Sequence, residues 1–250
     1  MSRAQDNWSN QSVKFKVFPG FDTDALRWAA SSTFRLDPSH VSSFETRDPL
    51  ARRIVERLAA RQAIKVKEVL ESFETFARVH RRLRAPCVAD LCCGHGLTGL
   101  LFAAVERSVE HVVLLDRQKP PKADMVVEAV IEAAPWVADK VRWVEAPIAE
   151  APALVPRGAA IVAVHACGVR TDRAIDAAVA LESPSVALVP CCYAHTGRRA
   201  PRAIREALGA EVATDVARTY RLEAAGWTVA WNAIPRPITP MNRVLVATHA

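Results

Sequence analysis

Long apolar runs are missing from this 250-residue chain. No stretch approaches the roughly 20 apolar residues that a membrane-spanning helix needs. The segment from Met1 to Asn10 is polar and lacks the apolar stretch of a secretory signal. Internal repeats and low-complexity segments are also missing. We therefore expect a cytoplasmic protein with no membrane partner.

Lysine is scarce relative to arginine, and the formal net charge is +6, from 33 basic and 27 acidic residues. This charge permits an anionic partner such as RNA without requiring one. Abundant arginine and alanine are also typical of a GC-rich genome, so composition leaves the partner open.

Cysteine is uncommon as well, with six residues, four of them in the adjacent pairs Cys92-Cys93 and Cys191-Cys192. Neighbouring cysteines at strand ends are poor disulfide partners, and a reducing compartment keeps thiols free. We therefore expect these cysteines to be reduced.

Half of the residues are apolar, enough for the core of one large α/β domain. The pattern predicts a mainly helical extension over residues 1–82, followed by a domain over residues 83–250. In the extension we expect a short helix at Asp22–Ser31, then either two helices broken near Ala60–Gln62 or one long helix. The predicted strands are Cys87–Cys92, His111–Leu115 (ending at Asp116), Lys140–Val144, Ala159–Ala166, Ser185–Pro190, Trp227–Ile234 and Asn242–Thr248. The predicted helices of the domain are Thr98–Glu106, Ala123–Ala134, Thr171–Leu181 and Pro201–Ala225, the last interrupted near Gly209.

Strands that alternate with helices indicate a parallel sheet with helices on both faces. Only a short proline-rich loop, Pro235–Pro240, joins the last two strands, so they should be antiparallel. We therefore predict an α/β, Rossmann-like fold with a seven-stranded, mostly parallel sheet and one antiparallel strand. This is the layout of class I methyltransferases that use S-adenosylmethionine (SAM).

The stretch Val88–Gly99 is typical of a buried strand, a glycine-rich turn and the start of a helix, which together bind nucleotide-like ligands. Asp90 lies before the first glycine, where folds that bind NAD usually have an apolar residue, and it suggests a ligand that also carries a cation. Asp116, at the end of the second strand, can accept hydrogen bonds from ribose hydroxyls. SAM fits both demands, and NAD is the weaker alternative. The predicted cofactor-binding residues are Asp90, Cys93, Gly94, Gly96, Asp116, Arg117 and His165.

A second set of polar side chains follows the fourth and fifth strands. Ligands bind at the carboxyl ends of the strands of an open α/β sheet. Since strands one, four and five should be central neighbours, we expect these side chains to converge, and we call them the Cys/His rim. Its members are Cys92, Cys93, His95, His165, Cys167, Cys191, Cys192, Tyr193 and His195.

Three segments of this half resemble a known family. They are His165-Ala-Cys-Gly-x-x-Thr-Asp172, Pro190-Cys-Cys-Tyr193 and Ile238-Thr-Pro-Met-Asn-Arg243. They are similar to a methyltransferase-domain family that includes the methyltransferase-like domain of the glutathione S-transferase C-terminal-domain-containing protein. The tRNA 2′-O-methyltransferases with a Cys-Cys-His motif are more distantly similar. The resemblance covers about Asp90 to the C-terminus and implies a SAM-binding methyltransferase, with RNA as the leading substrate class.

Three interpretations of the Cys/His rim stay open. Its members could simply pack in the core. They could line a substrate pocket, with His165 as general base and Tyr193 stacked on a nucleobase or aligning it. They could also bind zinc, although the spacing is not that of a zinc finger, and our prediction assigns no metal.

A fourth, narrower hypothesis concerns methylation of cytosine C5 in RNA. Enzymes with that activity place one cysteine after the fourth strand and another after the fifth, as Cys167 and Cys191 are placed here, but their proline before the first cysteine is missing. The predicted catalytic residues are His165, Cys191 and Tyr193.

Two groups of arginines differ in their predicted position. Arg198, Arg199, Arg202 and Arg205 follow strand five, beside the expected cleft, and are the predicted contacts to RNA phosphates. Arg78, Arg81, Arg82 and Arg84 precede strand one, so we expect them to form a helix cap or a solvated face away from the cleft.

Together these patterns predict a SAM-dependent methyltransferase that acts on RNA, either tRNA or rRNA. The alternatives are a methyltransferase for a protein side chain or small molecule, and a non-catalytic module that keeps the SAM pocket. No obligate protein partner is inferred.

Overall fold

The computed structural model describes residues 13–193 and 200–249. The helices of seven or more residues are α1 (Pro49–Arg61), α2 (Val66–Val79), α3 (Leu97–Val105), α4 (Ala123–Ala133), α5 (Val169–Ala180), α6 (Arg202–Leu208) and α7 (Ala210–Ala224), and single α-helical turns lie at Asp24–Arg27 and Ala151–Leu154. The strands are β1 (Cys87–Leu91), β2 (His111–Asp116), β3 (Val141–Glu145), β4 (Ala160–Val164), β5 (Ser185–Val189), β6 (Thr228–Ala233) and β7 (Arg243–Thr248). Within these ranges, no helix has the length and apolar character needed to cross a membrane.

The seven strands form one sheet in the order β3-β2-β1-β4-β5-β7-β6. Strands β1 to β5 pair in parallel, and β7 runs antiparallel to both of its neighbours, β5 and β6. The predicted sheet, with its one antiparallel strand and its central β1, β4 and β5, is confirmed. The chain order reverses between β1 and β4, where α/β folds bind their ligands.

Side chains alternate between two buried layers, one on each face of the sheet. On β4, Ala160 and Val162 belong to the layer under α1 to α4, whereas Ile161 and Ala163 belong to the layer under α5. Helices on both faces are therefore confirmed. The apolar residues of the N-terminal segment join the first layer, and Phe18 and Phe21 are almost fully buried in it. The division of the chain at residue 82 stays a prediction.

The N-terminal region contains two long helices rather than one. Gln62 has a left-handed backbone (φ 47°) that ends α1, and an isolated β-bridge joins Arg35 to Lys65 between α1 and α2. The short helix predicted at Asp22–Ser31 begins two residues later: an α-helical turn at Asp24–Arg27 continues directly into a 3-10 turn at Trp28–Ser31. Extended Thr23 separates it from a 3-10 turn at Pro19–Asp22.

A buried ion pair on α2 connects three parts of the fold. The Glu74 carboxylate accepts hydrogen bonds from the backbone N–H groups of Lys16 and Val17 and from the Arg78 guanidinium. Arg78 also donates to the carbonyl oxygens of Lys14 and Ala233, at 2.8 and 2.6 Å. Both side chains of the pair are almost fully buried. The expected capping or solvated role is therefore wrong for Arg78, whose charge is needed inside the protein to balance Glu74.

Arg81 and Arg82 are exposed, whereas Arg78 is buried. A substitution at Arg82 can therefore serve as the control for a substitution at Arg78. Replacing Arg78 by Met leaves Glu74 buried without its partner, which costs about 3–5 kcal/mol in such pairs. We expect a loss of that size for Arg78→Met in urea unfolding and a change within about 0.5 kcal/mol for the control Arg82→Met. Equal losses in the two variants would show that the pair does not anchor the N-terminal segment.

Candidate functional site

The glycine-rich loop between β1 and α3 has the backbone that close approach of a ligand requires. Cys92, Gly94 and Gly96 all have positive φ, of 58°, 56° and 77°. A Cβ at Gly96 would lie 2.7 Å from the Leu114 side chain, whereas a Cβ at Gly94 would meet nothing within 4 Å. Gly96 therefore allows the loop to pack on β2, and Gly94 faces open space.

Asp116 holds this loop from the end of β2. Its Oδ2 accepts a hydrogen bond from the Gly94 N–H at 2.9 Å, and the Cys93 N–H donates to the Leu115 carbonyl at 3.2 Å. Asp116 is half-buried, and the adjacent Arg117 is exposed. Each of these predicted cofactor-binding residues thus lies at the loop, at the carboxyl end of the sheet.

Asp90 lies beneath the loop and is almost fully buried. Its Oδ2 accepts a hydrogen bond from the Gly99 N–H at 2.8 Å. Its Oδ1 is buried without a hydrogen-bond partner among the described residues. Burial raises the pKa of Asp90 to about 7, and the nearby Asp116 charge adds to the rise against the opposing Gly99 hydrogen bond. Asp90 is thus a buried acid with one oxygen left for a donor.

A pocket of about 270 Å³ opens above these residues. Its lining includes Asp90, Gly94, His95 and His165, and also Glu68 and Glu71 from α2. A larger hollow of about 560 Å³, near Trp136 and Lys140, contains none of the predicted site residues. The smaller pocket is the candidate site, because the loop and the buried acid are there.

Glu68 and Glu71 were not predicted as site residues. The His95 Nδ1 lies 2.8 Å from Glu68 Oε2. Burial alone would raise the pKa of Glu68, but the hydrogen bond and charge of His95 outweigh it and hold that pKa below its ordinary value. The sequence did contain a signal for Glu71, because it lies within the apolar stripe of α2. An acid on a buried helix face needs a charged or hydrogen-bonding partner.

His165 follows β4 with a positive φ of 56°, a conformation that non-glycine residues rarely adopt outside functional sites and turns. Its Nε2 lies 2.8 Å from Glu71 Oε1. The two groups are not aligned for a hydrogen bond, and neither ring nitrogen has a hydrogen-bond partner among the described residues. The ring and the carboxylate therefore face each other as an electrostatic pair.

Most of the Cys/His rim converges, in two adjacent groups: Cys92, Cys93, His95 and His165 line the pocket, and the sulfurs of Cys167, Cys191 and Cys192 lie together beside it. Cys167 and Cys191 form a disulfide, so the expectation of reduced cysteines is wrong for this pair. The two loops that follow β4 and β5 come close enough to join residues 24 positions apart in sequence. In this state Cys191 has no free thiol, and its catalytic role stays a prediction.

The remaining rim cysteines differ in exposure. Burial raises the pKa of the Cys93 thiol, and burial with the Asp116 charge raises that of Cys92 to about 11. These two side chains are thus neutral thiols that line the pocket. Cys192 is exposed. His195 lies outside the described residues.

Tyr193 has a different environment from the predicted one. Its hydroxyl donates to Asp215 at 2.6 Å and accepts from Arg243 at 3.0 Å. Burial and the Asp215 charge raise the pKa of Tyr193. The hydroxyl is therefore held in a salt-bridge network, and Tyr193 anchors the segment after β5; its catalytic role stays a prediction.

The predicted RNA-contact arginines are only partly described. Arg202 lies on α6, is exposed and forms a 2.6 Å ion pair with Glu206. Arg205 lies on the same helix and is half-buried. Arg198 and Arg199 lie outside the described residues. Glu145, at the end of β3, accepts a hydrogen bond from the Lys119 N–H at 3.1 Å.

Comparison with known proteins agrees with this geometry. Residues 64–199, more than half of the chain, match the model of a family described as a methyltransferase domain, and the chain belongs to that family. The match begins just before α2, so it includes Glu68 and Glu71. No curated protein matches the chain.

Solved structures are similar to this chain only at low sequence identity. A protein from Corynebacterium glutamicum is 14% identical with a TM-score of 0.48, over 85% of this chain and 94% of that one. TrmN from Thermus thermophilus is 19% identical with a TM-score of 0.46, over 82% and 55%. An rRNA methylase from Streptococcus thermophilus is 12% identical with a TM-score of 0.45, over 72% and 93%.

The raised pKa of Asp90 predicts a pH dependence of stability. Between its ordinary pKa near 3.8 and its folded value of about 7, the folded state holds more protons than the unfolded state, so stability falls as the pH rises. The slope is at most about 1.4 kcal/mol per pH unit. We expect the slope between pH 5 and pH 7 to flatten in Asp90→Asn and to persist in Asp139→Asn, a change at an exposed turn. Urea unfolding at several pH values measures it, and identical slopes in all three proteins would contradict the assignment.

Proposed function

We propose that this member of the methyltransferase-domain family transfers a methyl group from SAM to RNA. The proposal rests on one observation: the buried Asp90 Oδ1 has no hydrogen-bond partner among the described residues, and it lies beneath the loop shaped by Gly94 and Gly96. An unsatisfied buried acceptor costs about 1–3 kcal/mol. A ligand ammonium that donates a hydrogen bond to this oxygen, directly or through a water molecule, would relieve that cost. SAM has such an ammonium group.

The other residues of the loop also suit this ligand. Open space beside Gly94 leaves room for the ligand next to the backbone. Asp116 uses one carboxylate oxygen on the Gly94 N–H and can offer the other to ribose hydroxyls. When bound, SAM would supply a methyl group on a sulfonium; the acceptor, in line with the carbon–sulfur bond, would take the methyl group as that bond breaks and S-adenosylhomocysteine leaves. The chain then needs to orient the acceptor and remove its proton.

His165 is the residue placed to take that proton. Its ring lines the pocket, and within residues 13–193 and 200–249 neither ring nitrogen has a hydrogen-bond partner. Glu71, whose Oε1 lies 2.8 Å from the His165 Nε2 and 3.4 Å from Lys67 Nζ, orients the ring. In this proposal His165 is the general base and Glu71 is a positioning residue.

The disulfide argues against one form of RNA methylation. Attack on cytosine C6 by a cysteine needs a free thiolate, and Cys191 is bonded to Cys167. We therefore propose a hydroxyl or ring nitrogen as the acceptor, with no covalent intermediate on the protein. The closer resemblance to the glutathione S-transferase C-terminal-domain-containing protein stays an interpretation of the motifs.

We propose RNA as the methyl acceptor because of the positive net charge of the chain and because of the side chains that α6 exposes. Arg202 is exposed at the beginning of α6, and Ile204 and Leu208 expose apolar surface on the same helix. Helix α6 belongs to the connection that leaves β5 at the carboxyl end of the sheet. Arginine pairs well with phosphate oxygens, and apolar side chains can pack on nucleobases or riboses.

Cofactor binding is the first test of this proposal. We expect S-adenosylhomocysteine to bind the wild-type protein with micromolar affinity in calorimetric titration. Asp116→Asn keeps a hydrogen-bond acceptor for Gly94 but loses the charge, so binding should weaken by about 10- to 100-fold. The control Asp139→Asn should bind as the wild type does. Absence of binding to the wild-type protein would overturn the proposal.

Transfer of labelled methyl from SAM to total RNA is the second test. Reversing two charges in Arg202→Glu/Arg205→Glu should lower RNA affinity by at least about 10-fold at physiological salt and leave S-adenosylhomocysteine binding unchanged. Arg81→Glu/Arg82→Glu changes the same number of charges near the amino end of β1 and should have little effect. Labelled protein or small molecules with unlabelled RNA would refute the RNA substrate while retaining the methyltransferase.

A further inference from the structure

Three cysteine sulfurs converge beside the candidate site. The Sγ atoms of Cys191 and Cys192 are 3.6 Å apart. Those of Cys167, Cys191 and Cys192 all lie within 4.8 Å of one another, and among the described residues this is the group placed to hold a metal ion. The proposed methyltransferase chemistry uses none of these sulfurs.

The backbone explains why the three sulfurs meet. Adjacent side chains in a strand point to opposite faces, but β5 ends at Val189, so Cys191 and Cys192 are free to turn the same way. The Gly168 N–H donates to the Cys192 carbonyl at 3.0 Å, and the His165 N–H donates to the Val189 carbonyl at 2.8 Å. The β4–β5 pairing thus continues past the strands and brings Cys167 to the other two.

Buried charges hold both segments independently of the disulfide. Arg218 is almost fully buried, pairs with Asp172 and Asp215, and donates to the Gly168 carbonyl at 3.4 Å. On the other segment, Asp215 accepts the hydroxyl hydrogen of Tyr193. The segments should therefore stay in place when the disulfide is opened, which makes the sulfurs a preorganised set.

We propose that the reduced form of Cys167, Cys191 and Cys192 binds one Zn²⁺ ion. Tetrahedral zinc with Zn–S bonds of about 2.3 Å places sulfurs roughly 3.8 Å apart. The Cys191–Cys192 separation already matches this value. Cys167 and Cys191, whose Cα atoms are 5.5 Å apart, need only side-chain rotation once their bond is broken. Water completes the fourth position on the side where Cys192 is exposed.

The two states of the cysteines are related by a balanced reaction. A dithiol reductant gives two electrons and two protons to the Cys167–Cys191 bond and becomes a disulfide itself. The three thiols then lose three protons as Zn²⁺ binds three thiolates. The disulfide and the zinc site therefore exclude each other.

Bound zinc would lie next to the site. The Cys191 Sγ is 3.7 Å from the backbone carbonyl of His165. The ion would join the segment that carries His165 to the segment that follows β5, without contact through the imidazole. Zinc binding does not depend on the proposed function, since SAM is held by β1 and β2.

The metal content of the full chain tests the proposal. Protein reduced with a phosphine, supplied with Zn²⁺ and then desalted should retain about one zinc ion per chain by mass spectrometry of the metal. Cys192→Ala should retain none, and Cys87→Ala, a change at a buried free cysteine on β1, should retain the wild-type amount. Oxidation with diamide should release the zinc. A reduced wild-type protein without zinc, or full retention in Cys192→Ala, would overturn the proposal.

A cobalt titration needs no variant and covers the case in which Cys192→Ala does not fold. Co²⁺ added to the reduced wild-type protein should give the charge-transfer absorption of thiolate ligands and the visible bands of a tetrahedral ion. Absence of these bands would overturn the proposal. S-adenosylhomocysteine binding, measured on the same samples, separates this result from that of the proposed function.

Discussion

The buried ion pair between Glu74 and Arg78 determines where helix α2 lies, and one wall of the candidate site depends on it. Two charges inside the core are stable only if each satisfies the other and their remaining hydrogen bonds are made. Here those bonds go to the N-terminal segment on one side and to the end of β6 on the other. The helix is thereby fixed across the sheet, with Glu68 and Glu71 over the glycine-rich loop.

The candidate site contains two residues with strained backbones, Cys92 and His165. It also contains the Asp90 carboxyl group, whose Oδ1 is buried without a hydrogen-bond partner among the described residues. Cys92 and His165 end neighbouring strands with left-handed backbones, at the point where the strand order reverses. Such strain costs about 1–3 kcal/mol per residue and persists only where the surroundings enforce it. Here it turns the chain away from the sheet at both strand ends, so that the loop and the imidazole ring line one pocket above Asp90.

Much of the fold could be predicted from sequence because its signals are local. Alternating apolar segments and the short Pro235–Pro240 loop placed strand and helix ends within a few residues of those observed. Asp90, Gly94 and Asp116 were predictable for the same reason, since they lie on one strand–loop–helix unit and its neighbour. Arg78 was misjudged because its partners are distant in sequence and invisible to local patterns.

The parts of the site that escaped prediction share this dependence on distant contacts. Glu71 meets His165 across nearly a hundred residues, and no spacing rule joins a helix before the sheet to a loop after β4. The Cys167–Cys191 bond was not predicted, because it joins two loops 24 residues apart in sequence and a local pattern does not determine the distance between two loops. Tyr193 was placed near the correct strand end, but its hydroxyl direction is set by Asp215 and Arg243, which come from two later elements.

The position of β7 has a consequence for how the chain is made. The last strand of the described residues lies inside the sheet, between β5 and β6. Until it is synthesised, β6 has no neighbour to pair with and β5 exposes an open edge, the kind of surface that recruits other chains. The disulfide loop after β5 lies at that same edge, and Arg243 on β7 completes the network that holds Tyr193. The segment after β5 is therefore held in place only once β7 has paired with β5.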